Sequence, residues 1–157
     1  MKIESQRIKS MKITEIKENK KRYLDLLLLA DEQESIIDKY IDRGELYLFE
    51  DGGVKALCVV TDEGKGVLVI KSIAVYPEFH GRGYGRMLIE YIESEYAGEF
   101  SVLRVGTGDS ETTIPFYKKC GFEEVYRIKD FFTNNYDLPI YENGVLLEDM
   151  VYLEKKI

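Results

Sequence analysis

Residues 73–88 read Ile-Ala-Val-Tyr-Pro-Glu-Phe-His-Gly-Arg-Gly-Tyr-Gly-Arg-Met-Leu, an apolar strand that passes through a glycine-rich turn into an amphipathic helix. Gly81, Gly83 and Gly85 alternate with larger residues in the turn. Glycine lets the main chain approach phosphate oxygens without an intervening Cβ, and the N-terminus of a helix adds about half a positive charge at the same point. The stretch therefore predicts an anion-binding turn at the start of a helix.

Other known glycine-rich turns fit this stretch less well. A dinucleotide-binding fingerprint requires Gly-x-Gly-x-x-Gly, but Arg86 stands three residues after Gly83, and the turn lies in mid-chain after a hairpin meander. A Walker A loop requires Gly-Lys-Ser/Thr, which the sequence lacks. A turn that only starts a helix would explain one or two glycines, but not three that alternate with Arg82 and Arg86.

The residues before the turn predict two helices and then an antiparallel meander. Residues 20–30 are strong helix formers, and Asp31 followed by Glu34 resembles a capping arrangement that opens a second helix. Gly44 would end that helix in the left-handed region. Three β-rich runs follow, separated by hairpin turns at 51–53 and 62–66: Glu45 to Glu50, Val54 to Thr61 and Val67 to Val75.

The residues after the turn predict a helix, a strand, a second helix and two strands. The predicted segments are the helix that ends near Gly98, a strand from Phe100 to Val105, a helix from Ile114 to Cys120 closed by Gly121, and strands from Phe122 to Ile128 and from Val145 to Leu153. With a first strand from Met11, the order is β-α-α-β-β-β-α-β-α-β-β, which predicts an α/β fold with a mixed sheet. The 157 residues fit one domain, with residues 1–10 as a peripheral extension.

Two segments of the sequence resemble the signatures of one enzyme family. His80-Gly-Arg-Gly-Tyr-Gly85 resembles the acetyl-CoA pyrophosphate loop of GNAT N-acetyltransferases, with His80 where the family usually has Gln or Arg. Ile73 to Val75, followed by Pro77, resembles the end of that family's fourth strand, whose backbone pairs with the pantetheine arm. Pro115 to Phe122 is similar to the family's second signature, in which a helical Tyr precedes Gly-Phe. The resemblance spans about residues 11 to 157 and extends to the order of the elements.

The tail of the sequence is also similar to a bacterial branch of uncharacterised GNAT enzymes, some of which carry an indoleacetic-acid acetyltransferase label. The shared residues are Asp130 to Phe132, Tyr136, Pro139-Ile140, Glu142 to Gly144 and Asp149-Met150. The label does not settle the substrate, because a carboxylic acid with an indole nitrogen offers no good acyl acceptor.

The resemblance implies an acetyl-CoA-dependent N-acetyltransferase that passes the acetyl group to a primary amine of a small molecule or peptide by direct attack, without a metal. The residues implied to contact acetyl-CoA are Ile73, Ala74, Val75, His80, Gly81, Arg82, Gly83, Tyr84, Gly85, Arg86, Ser110 and Tyr117. Tyr117 is also the catalytic candidate, since a phenol with a pKa of about 10 can donate its proton to a departing thiolate. A purely structural Tyr117, packed under the sheet, is the competing interpretation.

Apart from His80, the sequence departs from the family at two further places, and it leaves the acceptor site open. Val69 stands where many relatives have a Glu on the fourth strand, so the general base is not identified. Ser110 stands where relatives often have Asn. Its hydroxyl can hydrogen-bond to a pantetheine amide or, like the Asp109 carboxylate, cap a helix. The residues that could border the acceptor pocket are Asp130, Tyr136 and Glu142, each of which could equally be a surface or loop-fixing residue.

Composition excludes several other classes of function. The net charge of −7 gives no general support for nucleic-acid binding and fits a cationic substrate better. No apolar run approaches the roughly 20 residues of a membrane span, and no signal-peptide h-region occurs, which predicts a cytoplasmic protein. With one His and two separated cysteines, Cys58 and Cys120, a zinc site is not expected, and both thiols are predicted to be reduced and structural. A serine-hydrolase triad would have to use the single His, His80, and the sequence contains no Gly-x-Ser-x-Gly elbow to hold the nucleophilic Ser.

Several alternatives fit the same residues. The chain could be a GNAT-like module that binds acyl-CoA or a partner without useful turnover. Val69 in the place of a Glu favours this alternative, whereas Tyr117 favours catalysis. It could also use a longer acyl-CoA or acetylate a protein N-terminus, because fold does not fix substrate. An edge strand near the C-terminus makes a homodimer reasonable.

Overall fold

The computed structural model describes residues 10–157, so nearly all of the predicted peripheral extension lies outside the described residues. Strands and helices follow one another over this range in the order β1 (Met11–Ile16), α1 (Leu24–Ala30), α2 (Glu34–Ile37), β2 (Glu45–Asp51), β3 (Val54–Asp62), β4 (Val67–Val75), α3 (Tyr84–Tyr96), β5 (Val102–Gly108), α4 (Thr113–Lys119), β6 (Glu123–Ile128), α5 (Phe131–Asn135), β7 (Tyr141–Glu142), β8 (Val145–Leu146) and β9 (Met150–Lys156). Short 3-10 helices, Lys20–Tyr23 and Pro77–Phe79, precede α1 and the glycine-rich turn.

The strands form a mixed sheet in the order β1-β2-β3-β4-β5-β9-β6. β4 and β5 are parallel, whereas β1–β2, β2–β3, β5–β9 and β6–β9 are antiparallel pairs. β7 and β8 form a separate two-stranded hairpin. The predicted α/β fold with a mixed sheet is therefore confirmed.

The described chain divides into two compact units. The first contains residues 10–61 and 71–95, and the second contains residues 62–70 and 96–157, so that β4 begins in the second unit and ends in the first.

β2 is the centre of the first unit, and residues 46–49 are buried on both of its faces. One face joins an apolar cluster with the helices around α1 and α2, whose buried members are Leu26, Leu27, Ile37, Tyr40, Ile41, Leu46, Leu48, Leu57, Val59 and Ala74. The other face packs against α3, because the rings of Tyr47 and Tyr91 lie 5.5 Å apart and those of Phe49 and Tyr84 lie 4.9 Å apart. Each buried Leu or Ile contributes about 1.5–3 kcal/mol from its removal from water.

Two predictions about the ends of the first helices were wrong. Asp31 does not open a second helix: its N–H donates to the Leu27 carbonyl at 3.0 Å, so it closes α1, and Gln33 is the residue that precedes α2. Gly44 does not adopt a left-handed conformation. It is required instead by close packing, because a Cβ there would lie 2.7 Å from Val59 Cγ1.

A buried polar group lies within the apolar cluster of the first unit. The Tyr40 hydroxyl lies 3.2 Å from Asp31 Oδ2 and 2.5 Å from Ser72 Oγ. Because a phenol has one proton, Tyr40 donates to the carboxylate and accepts from the Ser72 hydroxyl. Burial raises the pKa of Tyr40 and keeps this donor protonated. The bonds join the end of α1 and the turn after α2 to β4 without leaving a buried polar atom unsatisfied.

The second unit is built on β5, which lies between the start of β4 and β9. Gly108 on β5 allows Leu147 to approach closely, since a Cβ there would lie 2.7 Å from Leu147 Cδ1. The predicted last strand from Val145 to Leu153 was wrong as one element, because its first residues pair with Tyr141–Glu142 and the long strand begins at Met150. None of the helices over residues 10–157 has the length and apolarity to cross a membrane.

Candidate functional site

The glycine-rich turn connects the 3-10 helix Pro77–Phe79 to α3. Gly81 and Gly83 have φ values of 80° and 83°, in the left-handed region that other residues rarely adopt. A Cβ at either position would meet no atom within 4 Å. Backbone conformation therefore selects these glycines, and the space beside them is open to a ligand.

The turn ends in the free N-terminus of a 13-residue helix. The first helical hydrogen bond runs from the Met87 N–H to the Gly83 carbonyl at 3.0 Å. The amides of Tyr84, Gly85 and Arg86 precede this bond and have no helical acceptor, so they are available to a ligand. Together with the helix dipole, these amides and the open turn fit a phosphate or pyrophosphate group.

Tyr84 contributes its amide to this site, but its side chain faces the protein interior. The ring is buried against Phe49, and the hydroxyl donates to Asp51 Oδ2 at 2.7 Å. Asp51 ends β2 and also accepts from the Ser10 hydroxyl at 2.6 Å. The Asp51–Tyr84 bond therefore fixes the first residue of α3 to the sheet.

His80 fastens the other end of the turn. Its Nε2 lies 2.9 Å from the carbonyl oxygen of Val75, the last residue of β4. Because a carbonyl oxygen only accepts, Nε2 is the donor in this contact. The His80 side chain thus positions the turn through β4.

Three cationic side chains lie in or near the turn. The guanidinium of Arg82 lies 5.3 Å from the centroid of the Phe79 ring, and Lys55 Nζ lies 3.9 Å from the same centroid. Arg86 Nε pairs with Glu90 Oε1 at 3.2 Å, but both side chains are 61% exposed, so the pair is weak and easily exchanged for another anion. Lys55 was missed by sequence reasoning because it lies on β3, far along the chain from the turn.

The end of β4 leaves backbone groups outside its ladder with β5. The parallel pairing joins Val67–Ile70 to residues 102–105 and goes no further along β4. The predicted pantetheine-binding residues, Ile73, Ala74 and Val75, come after the last paired residue.

The second unit holds the other predicted cofactor residues. Ser110 is buried, and its Oγ accepts from the amides of Thr112 and Thr113 at 3.1 and 3.3 Å, so it caps α4. Tyr117 lies on α4 and is buried, with its ring 5.7 Å from that of Phe122 in an edge-to-face arrangement. Both residues are thereby held rigidly, and the capping interpretation of Ser110 is confirmed.

The predicted acceptor residues lie in the segment after β6. Asp130 precedes α5 with φ 56°, and its amide donates to Asp149 Oδ1 at 3.0 Å. Tyr136 follows α5 and stacks on Phe132 at 5.5 Å, while Glu142 lies on β7. The contacts of Asp130 and Tyr136 stabilise the segment itself.

Comparison with known proteins identifies the family of this chain. Residues 42–124 match the acetyltransferase (GNAT) domain. The Bacillus subtilis protein named as the uncharacterised N-acetyltransferase YvbK is 36% identical over 132 residues, which cover 82% of this chain and 85% of that protein. The chain belongs to the GNAT acetyltransferase family.

Solved structures of GNAT enzymes match this chain over nearly its whole length. A GNAT acetyltransferase from Elizabethkingia anophelis with acetyl-CoA bound has a TM-score of 0.89 and 32% identity, covering 94% of this chain and 99% of that one. A Bacillus cereus structure described as an IAA acetyltransferase has a TM-score of 0.87 and 34% identity, with 94% and 100% coverage. A Bacillus subtilis acetyltransferase in complex with CoA has a TM-score of 0.85 and 33% identity, with 94% and 99% coverage. The predicted family resemblance is confirmed.

β4 of this GNAT acetyltransferase, Val67–Val75, carries no Asp or Glu, and its Val69 side chain is buried. Cys58 and Cys120 are buried thiols, and burial raises the pKa of Cys58, so neither is presented as a nucleophile. No group of three or more His, Cys, Asp or Glu side chains within residues 10–157 is arranged to hold a metal ion.

Proposed function

We propose that this GNAT acetyltransferase transfers the acetyl group of acetyl-CoA to a primary amine of a small molecule or peptide. The observation that carries the proposal is the open turn at Gly81 and Gly83, followed by the amides of Tyr84, Gly85 and Arg86 at the N-terminus of α3. A helix N-terminus of this kind favours a pyrophosphate. Acetyl-CoA supplies the thioester that donates the acetyl group and the thiolate that leaves.

The residues of the turn divide into those that bind and those that position. Backbone amides from Gly81 to Arg86 bind the pyrophosphate, and Arg82 and Arg86 add positive charge beside it. Arg86 releases Glu90 when a phosphate competes, since an exposed i,i+4 pair is worth only a few tenths of a kcal/mol. His80 and the Asp51–Tyr84 bond hold the two ends of the turn in place. The backbone of Ile73, Ala74 and Val75 pairs with the pantetheine arm.

Tyr117 is the proposed general acid. Its phenol donates a proton to the thiolate as the C–S bond breaks and the new C–N bond forms. The proton that the nitrogen loses on becoming an amide then returns through water to the Tyr117 phenolate. Support comes from the family signature around it and from its fixed ring, which Phe122 holds edge-to-face. Ser110 caps α4 through its Oγ lone pairs, and its hydroxyl proton is still available to a pantetheine carbonyl.

The amine must reach the thioester as the neutral base, and no carboxylate on β4 is placed to deprotonate it. Val69 removes that route, so we propose that the proton leaves through water, with Asp130, Tyr136 and Glu142 bordering the acceptor. The net charge of −7 favours a cationic acceptor over an anionic one. A longer acyl-CoA or a protein N-terminus as the substrate is the alternative within this proposal, because fold does not fix substrate.

A second candidate function is an acyl-CoA sensor without significant turnover. The buried Val69 is the observation that favours it, because the strand carboxylate of many relatives is replaced by an apolar side chain. The turn binds acetyl-CoA equally well under both proposals, so affinity does not separate them. Turnover does.

One experiment tests both functions. The purified chain is titrated with acetyl-CoA by calorimetry, and release of free CoA thiol is then followed with polyamines, aminoglycosides, amino acids and peptides. Cys58 and Cys120 are buried, so the protein contributes little thiol to the background. Binding with amine-dependent release supports the enzyme, binding without release supports the sensor, and absence of binding refutes the assignment of the turn.

The chain's organisation and location complete the proposal. We propose that residues 1–157 act as one GNAT domain in the cytoplasm, with neither nucleic acid nor a membrane as a partner. A homodimer is the proposed assembly, supported by β6 at the edge of the sheet near the C-terminus.

A further inference from the structure

We propose, as an inference that rests on the homodimer of the proposed function, that β6 pairs antiparallel with β6 of a second copy of this chain, so that the two molecules join edge to edge. β6 is the last strand of the sheet, and β9 occupies one of its edges. The six residues of β6 are all exposed. A strand at a sheet edge presents backbone N–H and C=O groups that a further strand can pair.

The side chains of β6 favour pairing over solvation. Val125, Tyr126 and Ile128 are 49%, 44% and 40% exposed, and β-branched and aromatic residues stabilise strands by packing across a pair. Val125 lies at the register shift of β6 and has no partner residue on β9. Apart from Leu29, all the large hydrophobic residues that are exposed over residues 10–157 lie between 125 and 146. Three of them, Val125, Tyr126 and Ile128, lie together on β6, and adjoining exposed apolar side chains mark an interaction surface.

The charges of β6 select a second copy and its orientation. Glu123 and Glu124 lie at the start of the strand, while Arg127 and Lys129 lie at or just beyond its end. An antiparallel pair of β6 strands places each acidic start opposite a basic end, whereas a parallel pair places like charges together. Charges also protect edges from random pairing. On β6 the acidic and basic residues lie at opposite ends, so they disfavour pairing with most other strands but complement a second, antiparallel β6.

Two of these charges are already paired within the chain and two are available. Glu124 Oε2 lies 3.3 Å from Lys118 Nζ, and the Arg127 guanidinium binds Asp109 at 2.7 Å. Within residues 10–157, Glu123 and Lys129 have no ion-pair partner. A twofold axis at Tyr126 places Glu123 opposite Lys129 of the partner subunit, and the symmetry repeats this pair. The dimer therefore satisfies the two charges that the single chain leaves in solvent.

Charge reversal provides the test, with the mass of the full chain followed by sedimentation velocity as its concentration is raised. Wild type is expected to dimerise. Glu123→Lys and Lys129→Glu each turn both intermolecular pairs into like-charge pairs, so each should raise the dimer dissociation constant by about tenfold or more. The double variant restores opposite charges and should dimerise again. A mixture of the two single variants should form a heterodimer, since one strand then carries only basic and the other only acidic residues at these positions.

Controls separate this interface from a general effect of charge. Glu32→Lys and Lys39→Glu make the same charge changes on exposed residues of the first unit and should leave the dissociation constant unchanged. All variants should bind acetyl-CoA like wild type, which reports that they fold. A monomeric wild type at every concentration overturns the proposal. So do single variants that dimerise like wild type, or a mixture of them that remains monomeric.

Discussion

The Tyr84 hydroxyl donates a 2.7 Å hydrogen bond to Asp51 Oδ2, which joins the first residue of α3 to the last residue of β2. The bond lies at the end of the glycine-rich turn, where the amides proposed to bind pyrophosphate begin. A turn with two left-handed glycines is held in place by the contacts at its two ends, and the Tyr84–Asp51 bond fixes one of those ends. Tyr84 therefore belongs to the site as a positioning residue and not as a side-chain ligand.

Tyr84→Phe should weaken acetyl-CoA binding several-fold and leave the turnover of the saturated enzyme nearly unchanged. The variant keeps the ring on Phe49 but loses a hydrogen bond to a carboxylate, worth about 1.5–3 kcal/mol. Calorimetry gives the affinity, and steady-state rates separate KM from kcat. Tyr47→Phe is the matched control, because Tyr47 contributes a ring to the same packing of β2 against α3 and, like Tyr84, donates to a carboxylate, that of Glu45. Equal losses of affinity in the two variants would contradict a positioning role for Asp51 and Tyr84.

Gly83→Ala should lower the affinity for acetyl-CoA by about tenfold or more, the equivalent of about 1.4 kcal/mol. Its φ of 83° costs an L-residue about 1–2 kcal/mol, and the added Cβ would project into the space that the phosphates need. Gly98→Ala is the control: Gly98 has a φ of 90° and equally open surroundings, but it follows α3 at its other end. Both variants should lose similar stability in urea, and only Gly83→Ala should lose affinity. Wild-type affinity in Gly83→Ala would remove the pyrophosphate from this turn.

Tyr117→Phe should reduce kcat by about 10²- to 10⁴-fold, the usual contribution of a general acid, and leave acetyl-CoA affinity within a few-fold of wild type. The ring contact with Phe122 survives the change, so the fold is retained. Tyr96→Phe removes the hydroxyl of another buried Tyr that also packs edge-to-face on a Phe, and its kcat should stay at the wild-type value. If Tyr117→Phe kept full kcat, Tyr117 would be a packing residue.

The turn and the meander were predictable because their signals are local. Glycine at alternate positions, hairpin turns and the amphipathic pattern of residues 84–96 each lie within a few residues of the structure that they produce. α5 carried no such signal, since Phe, Thr and Asn are weak helix formers. It forms because Phe132 is buried and its amide donates to the Glu148 carbonyl, 16 residues along the chain.

The same limit applies to the site. The glycines and arginines of the turn could be found from their spacing, whereas the contacts that hold the turn could not. Asp51 lies 33 residues before Tyr84, and Lys55 reaches Phe79 from a neighbouring strand. That Val69 stands in place of a β4 carboxylate stays a prediction, because it rests on the family pattern alone.

Tyr76 gives a prediction about pH. It follows β4 and leads into the turn, and its hydroxyl donates to Asp25 Oδ2 on α1 at 2.7 Å. This bond raises the pKa of Tyr76 to about 12, above the ordinary value of about 10. Because the folded-state pKa is the higher one, the stabilisation is fully present below about pH 10 and is lost as the pH rises towards about 12.

The stability difference between wild type and Tyr76→Phe should therefore be constant from about pH 7 to about pH 9 and shrink above about pH 10. The difference will be small, because solvent screens a pair this exposed. Urea unfolding at a series of pH values measures it, with Tyr141→Phe, which removes an exposed hydroxyl from the β7–β8 hairpin, as the control. Asp25→Asn removes the charge that opposes ionisation, so ultraviolet titration should show one tyrosine ionising at lower pH than in wild type. An unchanged titration would mean that the hydrogen bond between Tyr76 and Asp25 does not form in the dissolved protein.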